Sequence, residues 1–262
     1  MRPPETSSPT STVKLLGAVI TAPELIWLIS AVLVAGLVRG FAGFGSAMII
    51  MPVASSVLPP VEAVIFLIFT EIVGPLPNAR AAWRDGAPRD VGLLVAGAML
   101  ALPFGIWALS SMDQTLFGWT VSISVIVLLV MTASGMRLRT ALTAPITLAA
   151  GAVGGFMTGF AGLPGPPVIM LYLASRLPVA VIRANFLLYL LALDVLLALL
   201  LWIYGLMVWP VGLLGLLVGL PNLGANIIGA RLFDPSAERF FRTVAYIVIA
   251  ASAIIGLPIW KG

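Results

Sequence analysis

The chain has 262 residues, of which 61% are hydrophobic and only 9% are charged, and its net charge is +4. Soluble globular domains carry about 25% charged residues, so the composition excludes a soluble globule and predicts a helical protein of the lipid bilayer. Histidine and cysteine are both absent, which excludes disulfides, thiolate or imidazole metal sites and histidine-based catalysis. No metal or other cofactor is expected, and the short arginine-bearing loops indicate membrane orientation rather than nucleic-acid binding.

Residues 1–20 form an N-terminal tail, and two transmembrane repeats follow at residues 21–138 and 141–261. In each repeat, a first element with a glycine motif in its middle precedes three apolar segments of about the 20 residues that a membrane-spanning helix needs. The predicted broken elements are Glu24–Leu58 and Ala144–Leu177, and the predicted helices are Val61–Ala79, Val91–Ser110, Leu116–Met136, Val179–Tyr204, Val211–Leu232 and Ala237–Ile259.

The two halves share a sequence repeat. GLVRGFAG at Gly36–Gly43 aligns with GFMTGFAG at Gly155–Gly162, 119 residues further on. Asp113 and Asp234 each precede the last helix of their half at a nearly equal offset. Matches in the same order at a nearly constant offset indicate two copies of one unit.

The charges of the loops distinguish two topologies, because cytoplasmic loops of membrane proteins are enriched in Lys and Arg. If each broken element crosses the membrane once, the halves are parallel, with eight such residues on the cytoplasmic side and four outside. If each broken element re-enters and leaves on its own side, the halves are inverted and the count is nine against three. The sequence therefore predicts an all-α polytopic membrane protein of two inverted halves. Each half is a broken or re-entrant glycine-motif helix followed by three transmembrane helices, a plan that recurs among transporters.

The two glycine breaks predict an anion site. Non-helical backbone at membrane depth leaves polar groups unsatisfied unless they face protein, water or a ligand. A glycine turn followed by a new helix presents free N–H groups at the positive end of a helix dipole, which suits an anion. The expected site residues are Gly43, Phe44, Gly45, Ser46, Gly162, Leu163, Pro164 and Gly165. The alternative is that these glycines only let helices cross tightly.

Charged and amide side chains within the apolar segments are further candidates. Arg39, just before the first GFAG, is either an anchor for the anion or a structural residue that snorkels or pairs with an acid such as Glu71. Arg183 and Asp194 share a helix face about 16 Å apart, so each needs partners elsewhere. Arg183 is either a substrate ligand or part of a structural ion pair. The other candidate substrate ligands are Asn78, Asn185, Asn222 and Asn226, with Asn78 expected on the same helix face as Glu71. Glu71 and Asp194 are the candidate carboxylates for proton coupling.

The glycine-rich turns, GFAGFGSAMIIMP at Gly40–Pro52 and GFAGLPGPPVIM at Gly159–Met170, resemble those of the TauE/SafE family of membrane permeases. This family is also called the sulfite-exporter or four-toluene-sulfonate-uptake group. The resemblance covers nearly the whole chain and implies a multi-pass protein of the bacterial inner membrane that transports sulfur-containing anions such as sulfite, sulfoacetate or other organosulfonates. The family motif is usually richer in glycine, and Ser46 and Pro164 stand where glycine is expected.

The expected function is secondary transport of a small sulfur anion held between the paired broken helices. An anion channel, or a carrier of another small anion such as a carboxylate, would use the same helix ends. An enzyme is not expected, because Ser46 has no histidine or lysine base near it in the sequence. The expected partners are the anion and the lipid bilayer, and a homodimer is left open.

Overall fold

The computed structural model describes residues 22–134, 143–164, 168–169, 171–172 and 177–261, and these residues form helices and their connections without a strand. The predicted N-terminal tail and Gly165 lie outside the described residues. The α-helices are α1 (Ala22–Ala42), α2 (Ser46–Val57), α3 (Pro60–Glu71), α4 (Ala79–Asp85), α5 (Pro88–Ser110), α6 (Gln114–Ala133), α7 (Ala144–Ala161), α8 (Val179–Ile203), α9 (Trp209–Leu232) and α10 (Glu238–Ile255). Short 3-10 turns lie at Leu76–Asn78, Pro235–Ala237 and Pro258–Lys261.

Six of the described helices, namely α1 and α5 to α9, are long and apolar enough to cross a membrane, or up to seven spans if the bent pair formed by α3 and residues 76–85 counts as one. The fold is therefore that of an all-helical, multi-pass membrane protein, as the composition predicts. The long helices account for the length of a bilayer crossing, because an α-helix rises 1.5 Å per residue and a bilayer core is about 30 Å thick.

The predicted helix Val61–Ala79 is wrong as a continuous element. It is bent by 44° between α3 and the segment 76–85, where Gly74 and Pro75 interrupt it. Proline lacks the amide donor that a helix interior requires and disfavours helical geometry in the residue before it. As a result, Glu71 and Asn78 do not share a helix face.

The breaks in both glycine motifs lie where the sequence predicts. α1 ends at Ala42, and the turn before α2 contains Gly43 at φ 79° and Gly45 at φ 95°. α7 ends in the same way, with its C-cap Gly162 at φ 66°. Residues with a side chain rarely adopt this left-handed backbone conformation, so glycine is the residue that permits both turns. Gly43 and Gly162 occupy equivalent positions in the repeat and each donates its N–H to the carbonyl four residues earlier, over 2.8 and 2.9 Å.

Other glycines of the same motifs serve close helix packing. A Cβ on Gly40 of α1 would lie 2.2 Å from the Asn226 carbonyl oxygen of α9. A Cβ on Gly159, its repeat partner in α7, would lie 2.5 Å from the Leu102 carbonyl oxygen of α5. Such distances leave no room for a methyl group, so backbone meets backbone at both crossings. The glycines of these motifs therefore have two structural roles: those within the helices pack tightly against a neighbouring helix, and those after them form the turns.

The directions of packed helices bear on the topology. α3 and α9 run the same way, because Gly215 packs against Phe66 while Gly219, one turn later, packs against Thr70. Eight single crossings would make α3 the second crossing and α9 the seventh, and these would be antiparallel. Re-entrant first elements make them the first and fifth crossings, which are parallel.

Two more contacts agree with this reading. α2 and α10 run the same way, because Gly45 packs against Ile249 and Gly256, just beyond α10, packs against Pro52. The start of α5 lies beside the second turn of α8, since the Asn185 side chain accepts a hydrogen bond of 2.6 Å from the backbone N–H of Ala87. These directions favour broken elements that turn back over elements that cross.

The aspartates before the last helices of the two halves act as local caps. Asp113 is the N-cap of α6, and its side chain accepts a hydrogen bond of 2.8 Å from the backbone N–H of Leu116. Asp234 accepts hydrogen bonds from the backbone N–H and the hydroxyl of Ser236, and these bonds lower the pKa of Asp234. The repeated aspartates thus fix the start of the final helical segment in each half.

Candidate functional site

The two glycine turns face one small chamber. Its volume is about 70 Å³, and its walls include residues 43–48 of the first motif and residues 162–164 of the second. Leu67 of α3 packs next to Gly162, where an added Cβ would lie 2.7 Å from its Cδ2 atom. Turns that are 119 residues apart in the sequence are thereby brought to the wall of one cavity.

Three side chains of the first half form a polar network in this chamber. The Arg39 guanidinium forms an ion pair with Glu71 through Nη1 and Oε2. Ser46, at the start of α2, donates a hydrogen bond of 2.8 Å from Oγ to the same Oε2 atom. Arg39 Nη1 also lies 3.4 Å from Ser46 Oγ, which accepts its hydrogen bond. Of the two roles expected for Arg39, the structure shows the ion pair with Glu71.

The start of α2 adds a positive end of a helix dipole to the chamber. Gly45 is the N-cap and carries no side chain to cap the first amides, and Ser46, Ala47 and Met48 of the first turn line the cavity. The first amides of a helix lack intrahelical partners, so this end of α2 favours negative charge. A second carboxylate, Asp194 of α8, lines the same chamber and is 93% buried.

A larger vestibule of about 830 Å³ adjoins the chamber. The residues that line both cavities are Arg39, Gly43, Phe44, Pro75, Phe186 and Leu190. The described residues of the vestibule wall include three arginines, Arg39, Arg183 and Arg242, and no acidic residue. A cleft lined by one sign of charge raises the local concentration of the opposite ion, so this vestibule attracts anions.

The predicted site residues fall into four groups. The chamber is lined by Arg39, Gly43, Phe44, Gly45, Ser46, Gly162, Leu163 and Pro164, together with the carboxylates Glu71 and Asp194. The vestibule is lined by Asn78, Arg183, Asn222 and Asn226. Asn185 lines neither cavity, and Gly165 lies outside the described residues. The structure thus separates an inner set that surrounds a small space from an outer set at its approach.

Two of the predicted amides hydrogen-bond to the backbone of a neighbouring helix, although Nδ2 of Asn185 is buried without a partner among the described residues. Asn185 is fully buried and accepts the hydrogen bond from Ala87 at the start of α5. Asn222 is also buried, and its Nδ2 donates a hydrogen bond of 2.9 Å to the Val32 carbonyl oxygen of α1. Asn185 therefore holds the start of α5 against the second turn of α8, away from the chamber.

Several lining residues were not among the predicted site residues. Phe186, Leu190 and Asp194 follow one another at intervals of four on α8 and all line the chamber. Their spacing is the sequence signal for one helix face, and it extends from the predicted carboxylate Asp194. Thr158, which occupies the position of Arg39 in the second repeat, also lines the chamber, although its hydroxyl donates to the Gly154 carbonyl oxygen at 2.6 Å.

The fold and these cavities define a multi-pass membrane protein with a polar, partly charged chamber at its helix breaks. The model of the family described as Sulfite exporter TauE/SafE matches residues 28–255, which is most of the chain. The chain therefore belongs to the TauE/SafE family of membrane transporters, and the resemblance seen in the glycine turns is confirmed. No curated protein and no solved structure matches the chain.

Proposed function

We propose that this protein is a secondary transporter that carries a small sulfur oxyanion through the chamber between its two glycine turns. The observation that carries the proposal is the meeting of both turns at one cavity that contains Arg39, Ser46 and the first turn of α2. Arginine and oriented amide donors are the groups that proteins use for oxyanions. The family description names sulfite, and an organosulfonate is the related substrate that we propose beside it.

The volume of the chamber favours the smaller members of that class. A cavity needs about 10–15 Å³ of volume for each water molecule that it holds. The chamber, with about 70 Å³, therefore has room for on the order of five waters. Sulfite, with four heavy atoms, fits that space, whereas sulfoacetate, with eight, requires the wall to move. Apolar side chains of the wall, such as Leu67 and Phe186, would have to give way.

We also propose two inverted halves in the inner membrane of a bacterium, with the vestibule open to the cytoplasm. The parallel packing of α3 with α9 and of α2 with α10 supports inversion. The vestibule lining includes Asn78, Arg183 and Arg242. These residues lie at the end of the molecule that also carries the arginines of α4, α5 and α10. Cytoplasmic ends of membrane proteins are rich in arginine. The described state is then inward-facing, and transport requires the halves to rock about the chamber.

The test is uptake by proteoliposomes that contain the purified protein. Sulfite, sulfoacetate and taurine are supplied outside, and the flux of each is measured as its concentration rises, with and without the same anion inside. The proposal predicts saturable sulfite uptake that internal sulfite accelerates by exchange. A conductance far above the turnover of a carrier would instead identify an anion channel. No flux of any sulfur anion through folded protein would overturn the proposed substrate class.

A further inference from the structure

The Arg39 guanidinium in the chamber is already paired with a carboxylate of the protein itself. Arg39 forms an ion pair with Glu71, and Ser46 donates its hydroxyl hydrogen to the same carboxylate oxygen. These are the donors that an oxyanion would need on this side of the chamber. A substrate anion and the Glu71 carboxylate therefore compete for one set of donors.

The charges around the chamber make this competition depend on protons. Among the described residues that line it, the charged side chains are Arg39 from α1, Glu71 from α3 and Asp194 from α8. With both carboxylates ionised, their sum with Arg39 is one negative charge. A further anion in so small a space would be repelled, because like charges that water does not screen interact strongly. Neutralising one carboxylate removes that barrier.

Glu71 is the carboxylate whose neutralisation also releases the donors. Its Oε2 atom takes both hydrogen bonds, and its Oε1 atom is buried without a hydrogen-bond partner among the described residues. Asp194, in contrast, has no hydrogen bond to Arg39 or Ser46 in the described part of the chain, so a proton on it frees neither.

We propose that Glu71 is an internal competitor of the substrate, and that each anion binds together with a proton taken up by Glu71. The inference rests on the proposed function and assigns the coupling of that same site. In this exchange an O–H bond forms on Glu71 with a proton from the vestibule, the ion pair with Arg39 opens, and the anion takes the Arg39 and Ser46 donors. When the anion leaves, Glu71 releases the proton and returns to Arg39, so anion and proton move in the same direction.

The test is a count of protons taken up as the anion binds to the full chain in detergent. Calorimetric titration with methanesulfonate and with sulfite, repeated in two buffers of different ionisation enthalpy, gives that number directly. Methanesulfonate stays ionised throughout, and the proton uptake of sulfite itself is subtracted. The wild-type protein is expected to take up about one proton per anion, with affinity falling up to about tenfold per pH unit at high pH.

Two matched variants separate the carboxylates. Glu71→Gln is expected to bind the anion about tenfold or more tightly at about pH 8 and to take up no proton. Asp194→Asn, which removes the other chamber carboxylate, is expected to keep the uptake of about one proton. A purely structural ion pair predicts instead that Glu71→Gln lowers stability and leaves the proton count unchanged.

The outcomes are distinct. Anion binding by the wild type without proton uptake, or unchanged uptake in Glu71→Gln, overturns this inference and leaves the proposed function standing. If Glu71→Gln does not fold, Asp194→Asn decides, because loss of proton uptake there would place the proton on Asp194 instead. If no sulfur anion binds to the wild type at any pH between about 5 and 8, the proposed function fails and this inference fails with it.

Discussion

Substitution of Gly45 by valine tests whether the geometry of the first glycine turn sets the chamber. Gly45 is the N-cap of α2 at φ 95° and ψ −3°, a conformation that costs an L-residue about 1–2 kcal/mol and more when it is β-branched. Its Cβ would also lie 2.9 Å from Ile249 Cδ1, and such overpacking costs about 1–3 kcal/mol. Together these effects amount to about 2–5 kcal/mol. The expected relief is a shift of the start of α2, which carries Ser46 out of its hydrogen bond with Glu71.

Gly205→Val is the matched control. Gly205, in the turn between α8 and α9, has a similar φ of 69°, and a Cβ there would meet no atom within 4 Å. Both variants should insert into the membrane and show a lowered thermal unfolding midpoint, but only Gly45→Val should lose sulfite flux in proteoliposomes, by at least about a hundredfold. Wild-type flux in Gly45→Val, or an equal loss in Gly205→Val, would refute the role of this turn.

Three other substitutions have distinct expected outcomes. Gly40→Ala puts a methyl group 2.2 Å from a backbone oxygen of α9 and should lower the free energy of unfolding by about 1–3 kcal/mol. Its control is Gly224→Ala, whose methyl group meets no atom within 4 Å. This control should be neutral or should stabilise the protein by up to about 1 kcal/mol. Arg183→Ala removes a cation of the vestibule and should raise KM roughly threefold to tenfold with kcat unchanged. The rise in KM should be smaller at high salt, which screens the charge. A fall in kcat alone would contradict this prediction. Asn185→Ala removes the acceptor for the Ala87 N–H and should cost about 1–2 kcal/mol of stability without changing KM, and a raised KM would return Asn185 to the site.

Local chemistry made the breaks of the fold predictable from the sequence. A left-handed turn within an apolar segment has few alternatives to glycine, so the repeated motif located Gly43 and Gly162 before any packing was known. The same reasoning missed the bend at Gly74 and Pro75. The flanking residues are strongly apolar, and the apolar pattern outweighed the Gly-Pro signal that was present.

The partners of the polar residues could not be predicted in the same way. Arg39 and Glu71 are 32 residues apart, and the sequence offered Arg39 both an internal acid and a transported anion. Only the position of α3 against the first glycine turn shows which contact forms. Asn185 illustrates the same limit, because a buried amide can face a ligand or a helix end, and the deciding neighbour, Ala87, comes from the other half of the chain.

The most direct test of the central claim is whether the transported anion occupies the chamber. Since the chain contains no cysteine, Ala47→Cys places a single thiol in the chamber wall, and Trp83→Cys places one on the exposed surface of α4. The rate of modification by N-ethylmaleimide is measured with and without sulfoacetate or methanesulfonate at about ten times the concentration that half-saturates transport. The account predicts about tenfold slower modification at position 47 and an unchanged rate at position 83, whereas an equal rate at position 47 with and without a transported anion would contradict it.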